Sequence, residues 1–390
     1  MTMGPGQSLS ETSIRPASPG SRRSGRLRPM ERTDVAAACR LFLRVFRGIE
    51  AEPRPDLQAY LHALAFSAPG YTQETGSLVY EQADGRITSA VFAVPIPFVA
   101  GEREVPARLL CAFMTDGSRE AAGAAKITLT MRARQQELAF SDTASPTSLR
   151  HFQASGGIVV PIQNLEWVRT FRPVEAALGR IARRLGGRRE IPLGWLARPL
   201  DAAIRAVRHG LAAPARPDVR VEPMPVENFL DHAPDLIAHY TVRPRWSRSE
   251  LAWLVAMAAQ NRRSGSFAIR SVVSRDGTVL GCFVYYGGGR RPARILNVLA
   301  RNGQEAAVLD AMFDYLDGTG CPEAIGHAQP ALMQGLAHQR SLIFRHRAFV
   351  CVLTRHDDIA AAAKRGDIYI GGLAGEDWSR LMSDFQGAHR

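Results

Sequence analysis

Lysine and cysteine are both scarce in this 390-residue chain. Only Lys126 and Lys364 stand among the 49 basic residues, a bias that we attribute to genomic base composition. The five cysteines are odd in number and form no CxxC pair, which excludes a disulfide scaffold and predicts reduced, buried thiols. Cysteine and histidine nowhere cluster with the spacing of a zinc site, so we predict no metal.

Long hydrophobic runs are also missing. The longest, residues 87–100, is broken by Pro95 and Pro97 and is too short to cross a bilayer. No apolar stretch follows the basic residues near the N-terminus, which argues against a secretory signal and makes the cytoplasm the expected compartment. With 46% hydrophobic and 22% charged residues, the composition is that of a globular protein, and the length suggests two or three domains.

The net charge of +12 is concentrated in two segments. Residues 1–32 carry six arginines against two acidic residues (+4), and residues 169–216 carry eleven against three (+8). Residues 1–25 are predicted to be a disordered basic tail, because they are rich in Gly, Ser, Pro and Arg and cannot bury enough apolar surface to fold. A solvated leader is the simplest interpretation, and contact with nucleic acid or acidic lipid is the alternative.

Residues 172–217 are predicted to form a basic linker of two amphipathic helices. Apolar residues follow helical spacing at Val174, Leu178 and Ile181, and again at Leu200 and Ile204. Such helices can make weak contact with an anionic membrane surface or pack against the flanking domains, and we favour packing. Interleaved aromatic residues are missing from both basic segments, so binding to nucleic acid is not expected.

Residues 26–171 and 218–390 follow the same order of predicted elements, β-α-α-β-β-β-α-β-α-β, with hairpin turns at 83–86 and 275–277. The segment LRPMERTDVAAACRLFLRVF predicts an opening strand and helix. The segment ARLLCAFMTDG, followed closely by AAGAAKITLTMRARQQ, predicts a central strand and then a long helix.

These segments and their order resemble the GNAT acyltransferase superfamily, clearly over residues 26–171 and more loosely over 219–378. The whole chain is similar to tandem, two-domain bacterial members. The resemblance implies an α/β (α+β) fold of two tandem GNAT-like domains, each a mixed, mostly antiparallel sheet flanked by helices. The basic helical linker would join them, and the second domain, residues 218–390, would be degenerate.

In the superfamily, a loop of pattern [Q/R]-x-x-G-x-[G/A] binds the pyrophosphate of coenzyme A. Free backbone N–H groups at a helix N-terminus hold the phosphates, and small residues allow a close approach. Residues 120–125 match, although Glu120 replaces the usual Gln or Arg. The resemblance therefore implies acetyl-CoA, or another acyl-CoA, as cofactor. The residues implied to bind it are Met114, Thr115, Arg119, Glu120, Ala121, Ala122, Gly123, Ala124 and Ala125.

The equivalent stretch of the second half, residues 300–305, does not fit this pattern, so we expect one cofactor site. Family members often use a Tyr, four residues before a Gly-Phe pair, as the acid that protonates the leaving thiolate. Phe152 occupies this place, before Gly156-Gly157, and has no proton to donate. The remaining candidates for the catalytic groups are Asp116, Asp142, Ser141 and His151.

The leading hypothesis is an enzyme, an acyl-CoA-dependent N- or O-acyltransferase. It would transfer an acetyl group to the amine or hydroxyl of a small-molecule or saccharide acceptor. The alternative is a catalytically inactive tandem GNAT-like protein that binds a ligand or partner, which Glu120 and Phe152 favour. The sequence identifies neither the acceptor nor the oligomeric state.

Overall fold

The structure is a computed structural model of the chain that describes residues 25–117, 121–184, 194–213 and 215–385. The predicted basic tail, up to residue 24, lies outside the described residues. All five cysteines are buried and free, as predicted. Among the helices within the described ranges, none combines the length and hydropathy needed to cross a bilayer.

The first half of the chain alternates strands and helices in the predicted order. Ser145 caps α4 and Pro146 occupies its first turn, which explains why this helix begins at Pro146. The elements are β1 (Arg26–Pro29), α1 (Val35–Phe42), α2 (Pro55–Phe66), β2 (Leu78–Glu81), β3 (Ile87–Pro95), β4 (Phe98–Ala100), β5 (Arg103–Val105), β6 (Ala107–Thr115), α3 (Ala121–Thr130), β7 (Leu138–Ala144), α4 (Pro146–Ala154), β8 (Ile158–Val159) and β9 (Leu165–Thr170).

The second half repeats this order after the two linker helices. Its helix α8 begins with a capping box of Ser247 and Glu250. The elements are α5 (Pro173–Arg184), α6 (Gly194–Val207), β10 (Val219–Pro223), α7 (Val226–Leu236), β11 (Val242–Pro244), α8 (Arg248–Ala259), β12 (Phe267–Ser274), β13 (Val279–Gly288), β14 (Arg291–Ala300), α9 (Glu305–Gly318), β15 (Glu323–His327), α10 (Met333–Ala337), β16 (Leu342–His346), β17 (Phe349–Leu353), α11 (Asp357–Arg365) and α12 (Arg380–Ser383).

The strands form two seven-stranded sheets of matching topology. Their orders are β1-β2-β3-β6-β7-β17-β8 and β10-β12-β13-β14-β15-β9-β16. In each sheet the pairs are antiparallel except at one place, β6 with β7 and β14 with β15. Helices flank both sheets, and the predicted fold class is confirmed.

The two halves exchange a strand. β9 comes from the first half but lies between β15 and β16 of the second sheet, and β17 makes the reverse crossing to lie between β7 and β8. The domain bounds expected from the sequence place residues 165–170 in a unit ending at 171 and β17 in the unit 218–390. The observed pairing differs, because alternation of apolar residues marks a strand without specifying its partner.

A third sheet also joins the halves, since β11 pairs with β4, which pairs with β5. A hydrophobic core also has members from both halves, including Phe42, Phe98, Trp246 and Trp378. Two large indoles of this core pack edge-on against aromatic neighbours, Trp246 on Tyr369 and Trp378 on Trp253. Burial of apolar surface is therefore shared between the two sheets.

The linker helices contact β15 and α9 of the second half through their arginines. Arg180 donates to Glu323 at 2.6 Å, and Arg205 donates to both carboxylate oxygens of Asp317 at 2.9 Å. Asp201 on α6 accepts hydrogen bonds from two backbone N–H groups in the first turn of α5. These contacts are those expected if the linker packs on its neighbours; membrane contact stays a prediction.

The strand exchange predicts that neither half folds alone. A chain cut between residues 184 and 194 should yield fragments that aggregate when expressed singly, because each sheet then lacks an internal strand and exposes an unpaired edge. Co-expressed fragments should purify together with one cooperative unfolding transition. A single fragment that is monomeric and unfolds cooperatively would contradict this expectation.

Candidate functional site

The first sheet opens between its two parallel strands. β6 and β7 pair only from Ala107 with Leu138 to Leu109 with Phe140, although both strands continue. Beyond that point β6 carries a bulge, where Ala112 adopts a φ of 45° and the register with β3 shifts. A bulge bends the strand and re-aims its backbone groups, so β6 turns away from β7.

A cavity of about 290 Å³ occupies this opening. Successive β6 residues point to opposite faces of the sheet: Leu110 belongs to the hydrophobic cluster under α3, whereas Leu109 and Cys111 belong to the core under α1. The cavity is lined from both faces and therefore passes through the sheet. Its lining is mainly apolar, with the residues Phe42, Phe46, Arg47, Val91, Leu110, Ala112, Phe113, Ile127, Thr128, Met131, Ser141, Thr143, Ala144, Ser145, Ser148, His151, Phe152, Ser155, Leu353, Glu376, Leu381 and Met382.

The second sheet has a matching opening that the protein's own chain fills. β14 and β15 pair only as far as Ile295 with Gly326. Residues 368–378, here called the C-terminal strap, cross this opening: Leu373 N–H donates to Asn297 at 2.9 Å, and Gln329 donates to the Ile370 carbonyl at 2.7 Å. A Cβ on Gly372 would overlap the Leu296 carbonyl. The strap therefore packs against both strands at this opening.

The same strap then enters the first opening and places a carboxyl group in the cavity. Glu376 N–H donates to Asp142 Oδ1 at 2.8 Å, and the Thr143 hydroxyl donates to the Glu376 carboxylate. Glu376 is 2% exposed and lines the cavity. A Cβ on Gly375 would overlap Asp142 Oδ2, so only glycine permits this approach.

The Glu376 carboxyl is adapted to proton transfer near neutral pH. Burial raises its pKa to about 8, with the Thr143 hydroxyl opposing and the negative charge of Asp142 adding to the shift. A group with a pKa near the working pH is populated in both protonation states, which is what a general base or acid requires. Glu376 is the residue that the sequence analysis missed; the signal was an acidic pair inside an otherwise apolar, glycine-rich strap.

Asp142 lies behind Glu376 and does not line the cavity. It is fully buried, and its pKa is raised by burial and by Asp377. The Arg347 guanidinium donates to Asp377 and to the Asp142 carbonyl, and it lowers the pKa of Asp377 against the opposing effect of burial. Asp142 thus helps to hold the strap.

A group of three residues in the described part of the chain has the spacing to hold a metal ion. Its members are Asp142, His327 and Asp377, whose ligand atoms lie within 4.8 Å of one another. Arg347 already supplies positive charge to this cluster through its bond to Asp377. We therefore assign no metal here.

Two other predicted catalytic residues do line the cavity, Ser141 and His151. His151 Nδ1 lies 2.8 Å from the Thr128 hydroxyl, and its ring packs edge-on against Phe113. Burial lowers the pKa of His151, so its imidazole is neutral at pH 7. Phe152, which stands where the family often has Tyr, also lines the cavity.

Asp116 forms an ion pair with Arg44 and is not among the cavity-lining residues. Met114 and Thr115 lie in the paired part of β6, opposite Ala90 and Ser89. Arg119 and Glu120 lie outside the described residues.

The small residues at the start of α3 divide between solvent and sheet. Ala121, Ala122 and Ala125 are exposed, whereas Gly123 and Ala124 are buried. A Cβ on Gly123 would overlap Ser89 and Tyr80, so this glycine allows α3 to pack closely on β2 and β3. A substitution at Gly123 would disturb this packing, and cofactor binding is better tested in the cavity.

Replacing Glu376 by Gln should change how stability depends on pH. The folded-state pKa of about 8 exceeds the ordinary 4.5, so the folded protein retains a proton that the unfolded chain releases between these values. Relative to the variant, the wild type should lose up to about 1.4 kcal/mol of unfolding free energy per pH unit as pH rises through this window. Urea titrations at several pH values measure this, with the exposed Glu102→Gln as control. Parallel wild-type and Glu376→Gln profiles would refute the assignment.

No protein-family model and no curated protein matches the chain. Among solved structures, a conserved protein of unknown function from Enterococcus faecalis V583, described as a probable N-acyltransferase, superposes with a TM-score of 0.55 and 12% identity, over 84% of this chain and 72% of that one. A GCN5-related N-acetyltransferase from Anabaena variabilis ATCC 29413 gives a TM-score of 0.53 and 10% identity, over 85% and 73%. Identities this low show a shared fold alone. The chain has the fold of the GCN5-related N-acetyltransferases.

Proposed function

We propose that this protein is an acyl-CoA-dependent N- or O-acyltransferase with its active site in the opening between β6 and β7. The observation that carries the proposal is the delivery of Glu376 into an apolar cavity at the point where the parallel strands separate. A carboxyl group with a pKa of about 8, enclosed by apolar walls, is the arrangement that acid–base catalysis needs.

The coenzyme would lie on the α3 and α4 side of the sheet. The cavity wall there is formed by residues such as Ile127, Met131 and Phe152, which suit the pantetheine arm, and Thr128 and His151 supply polar groups. The start of α3 would bind the phosphates through its backbone N–H groups, at the positions that the sequence analysis identified, Ala121 to Ala125 with Arg119 and Glu120. Acyl-CoA, when it is bound, supplies an activated thioester carbonyl carbon.

Glu376 would act on the acceptor. Its carboxylate accepts the proton of the attacking amine or hydroxyl as the new C–N or C–O bond forms and the C–S bond breaks. The proton then passes to the sulfur of the leaving thiolate. Backbone N–H groups beside the bulge at Ala112 would polarise the carbonyl oxygen during the attack.

The filled second opening supports a single active site. Glu376 supplies a group that can carry a proton, which the side chain of Phe152 cannot do. The rival hypothesis, an inactive binding protein, rested on Glu120 and Phe152, and the second of these departures is thereby compensated. We retain a small-molecule or saccharide acceptor and acetyl-CoA or another acyl-CoA as the proposed substrates.

A bulky side chain in the cavity should block coenzyme binding. Ser148 and Gln153 both lie on α4, but only Ser148 lines the cavity. Acetyl-CoA at a hundred times its dissociation constant should raise the unfolding free energy of wild type by about 2.7 kcal/mol. Ser148→Trp should abolish this stabilisation and Gln153→Trp should retain it. A wild type that millimolar acyl-CoA does not stabilise would overturn the proposal.

Glu376→Gln should lower kcat by roughly 10²–10⁴, the range that a positioned acid–base group contributes. Coenzyme binding, measured by the same rise in unfolding free energy with acetyl-CoA, should change little, because Gln preserves the shape of the side chain and the contact with Thr143. Glu102→Gln serves as the control for loss of a carboxylate. Unchanged turnover in Glu376→Gln would remove this residue from the mechanism while leaving the coenzyme site intact.

A further inference from the structure

The cavity has a second end on the face of the sheet that α1 covers. Its wall there consists of apolar side chains from α1, the π-helical turn that follows it (Leu43–Arg47), the bulge of β6 and α12. The Phe42 and Phe46 rings lie 5.5 Å apart, and Leu381 belongs to the same core as Phe42. The residues are Phe42, Phe46, Ala112, Leu381 and Met382.

Arg47 also lines this end, and its guanidinium is held by backbone carbonyls while its Nε is buried without a hydrogen-bond partner among the described residues. The guanidinium donates to the carbonyls of Leu381 at 2.7 Å and Asp384 at 3.0 Å, and it lies 4.9 Å from the centre of the Phe42 ring. Arg47 therefore ties α12 to the π-helical turn.

Large apolar side chains remain exposed where this end meets solvent. Phe46 is 42% exposed and Met382 is 48% exposed. Two such neighbours at the mouth of a cavity gain free energy when an apolar group covers them. An acetyl group carries a single methyl beyond the carbonyl carbon and would leave both uncovered.

Glu376, the site of the proposed reaction, lines the same cavity as the side chains of both ends. If the pantetheine arm occupies the α3 side, the carbon atoms beyond the thioester extend through the opening toward α1. The apolar wall at that end then lies on the path of the acyl group. A short or hydroxylated acyl group would be selected by polar donors, and the side chains of Phe42, Phe46, Leu381 and Met382 carry none.

Resting on the proposed function, we propose that the preferred acyl group is an aliphatic chain longer than acetyl, bound against Phe42, Phe46 and Met382. The donor is thus a medium- or long-chain acyl-CoA, and Phe46 and Met382 act as specificity-determining residues. The alternative occupant of this end, an apolar acceptor, is an outcome of the test.

Calorimetric titration of the full chain with CoA, acetyl-CoA and octanoyl-CoA tests this inference. Each newly buried methylene can tighten binding by up to about fourfold. We expect octanoyl-CoA to bind at least tenfold more tightly than acetyl-CoA. Equal affinities for acetyl-CoA and octanoyl-CoA would overturn the inference and favour the acceptor as the occupant of the apolar end. The proposed function would not be affected by this result. Failure of all three to bind would overturn the proposed function itself.

Matched substitutions in the π-helical turn test where the acyl chain of the donor binds. Phe46→Arg places a charge on the proposed path, whereas Val45→Arg places the same charge at a neighbouring residue that is 37% exposed and does not line the cavity. Phe46→Arg should weaken the binding of octanoyl-CoA at least tenfold and leave the affinity for CoA unchanged. Val45→Arg should change neither affinity. Equal weakening of CoA and octanoyl-CoA by Phe46→Arg would overturn the placement.

Discussion

The C-terminal strap makes the openings of the two sheets, which share one topology, structurally different. Leu373 N–H is bonded to Asn297 in the second opening, and Glu376 N–H is bonded to Asp142 in the first. These two hydrogen bonds lie three residues apart, so the strap cannot leave one opening without disturbing the other. The first opening receives a carboxyl group and keeps its cavity, while the second is filled by backbone.

The exchange of β9 and β17 gives the strap a fixed frame. β17 pairs with β7, the strand that carries Ser141, Asp142 and Thr143, and therefore holds one wall of the cavity in place. Because β17 comes from the second half, the position of this wall depends on both halves being folded together. A buried site shared between them is better defined than one at the contact of two independently moving domains.

Placing Glu376 in apolar surroundings is unfavourable for its charged form, and the structure offsets this only partly. The Thr143 hydroxyl donates to the carboxylate, but the nearby Asp142 and Asp377 oppose ionisation, and Arg347 is bonded to Asp377 instead. The result is a carboxyl group that retains its proton at neutral pH and releases it slightly above. Stability is thus lost at the residue that the proposed chemistry needs, which is common for active sites.

The sequence by itself determined the order of elements, the buried cysteines and the fold class, because these depend on local periodicity, turn residues and caps. It also named Ser141 and His151, which lie on β7 and α4 and line the cavity, and their catalytic roles stay predictions. Only the tertiary structure decided that β9 and β17 change places and that residues 368–378 bring Glu376 beside Thr143, more than two hundred residues away in the chain. Contacts at such separations depend on which surfaces become buried together, and no local pattern records them.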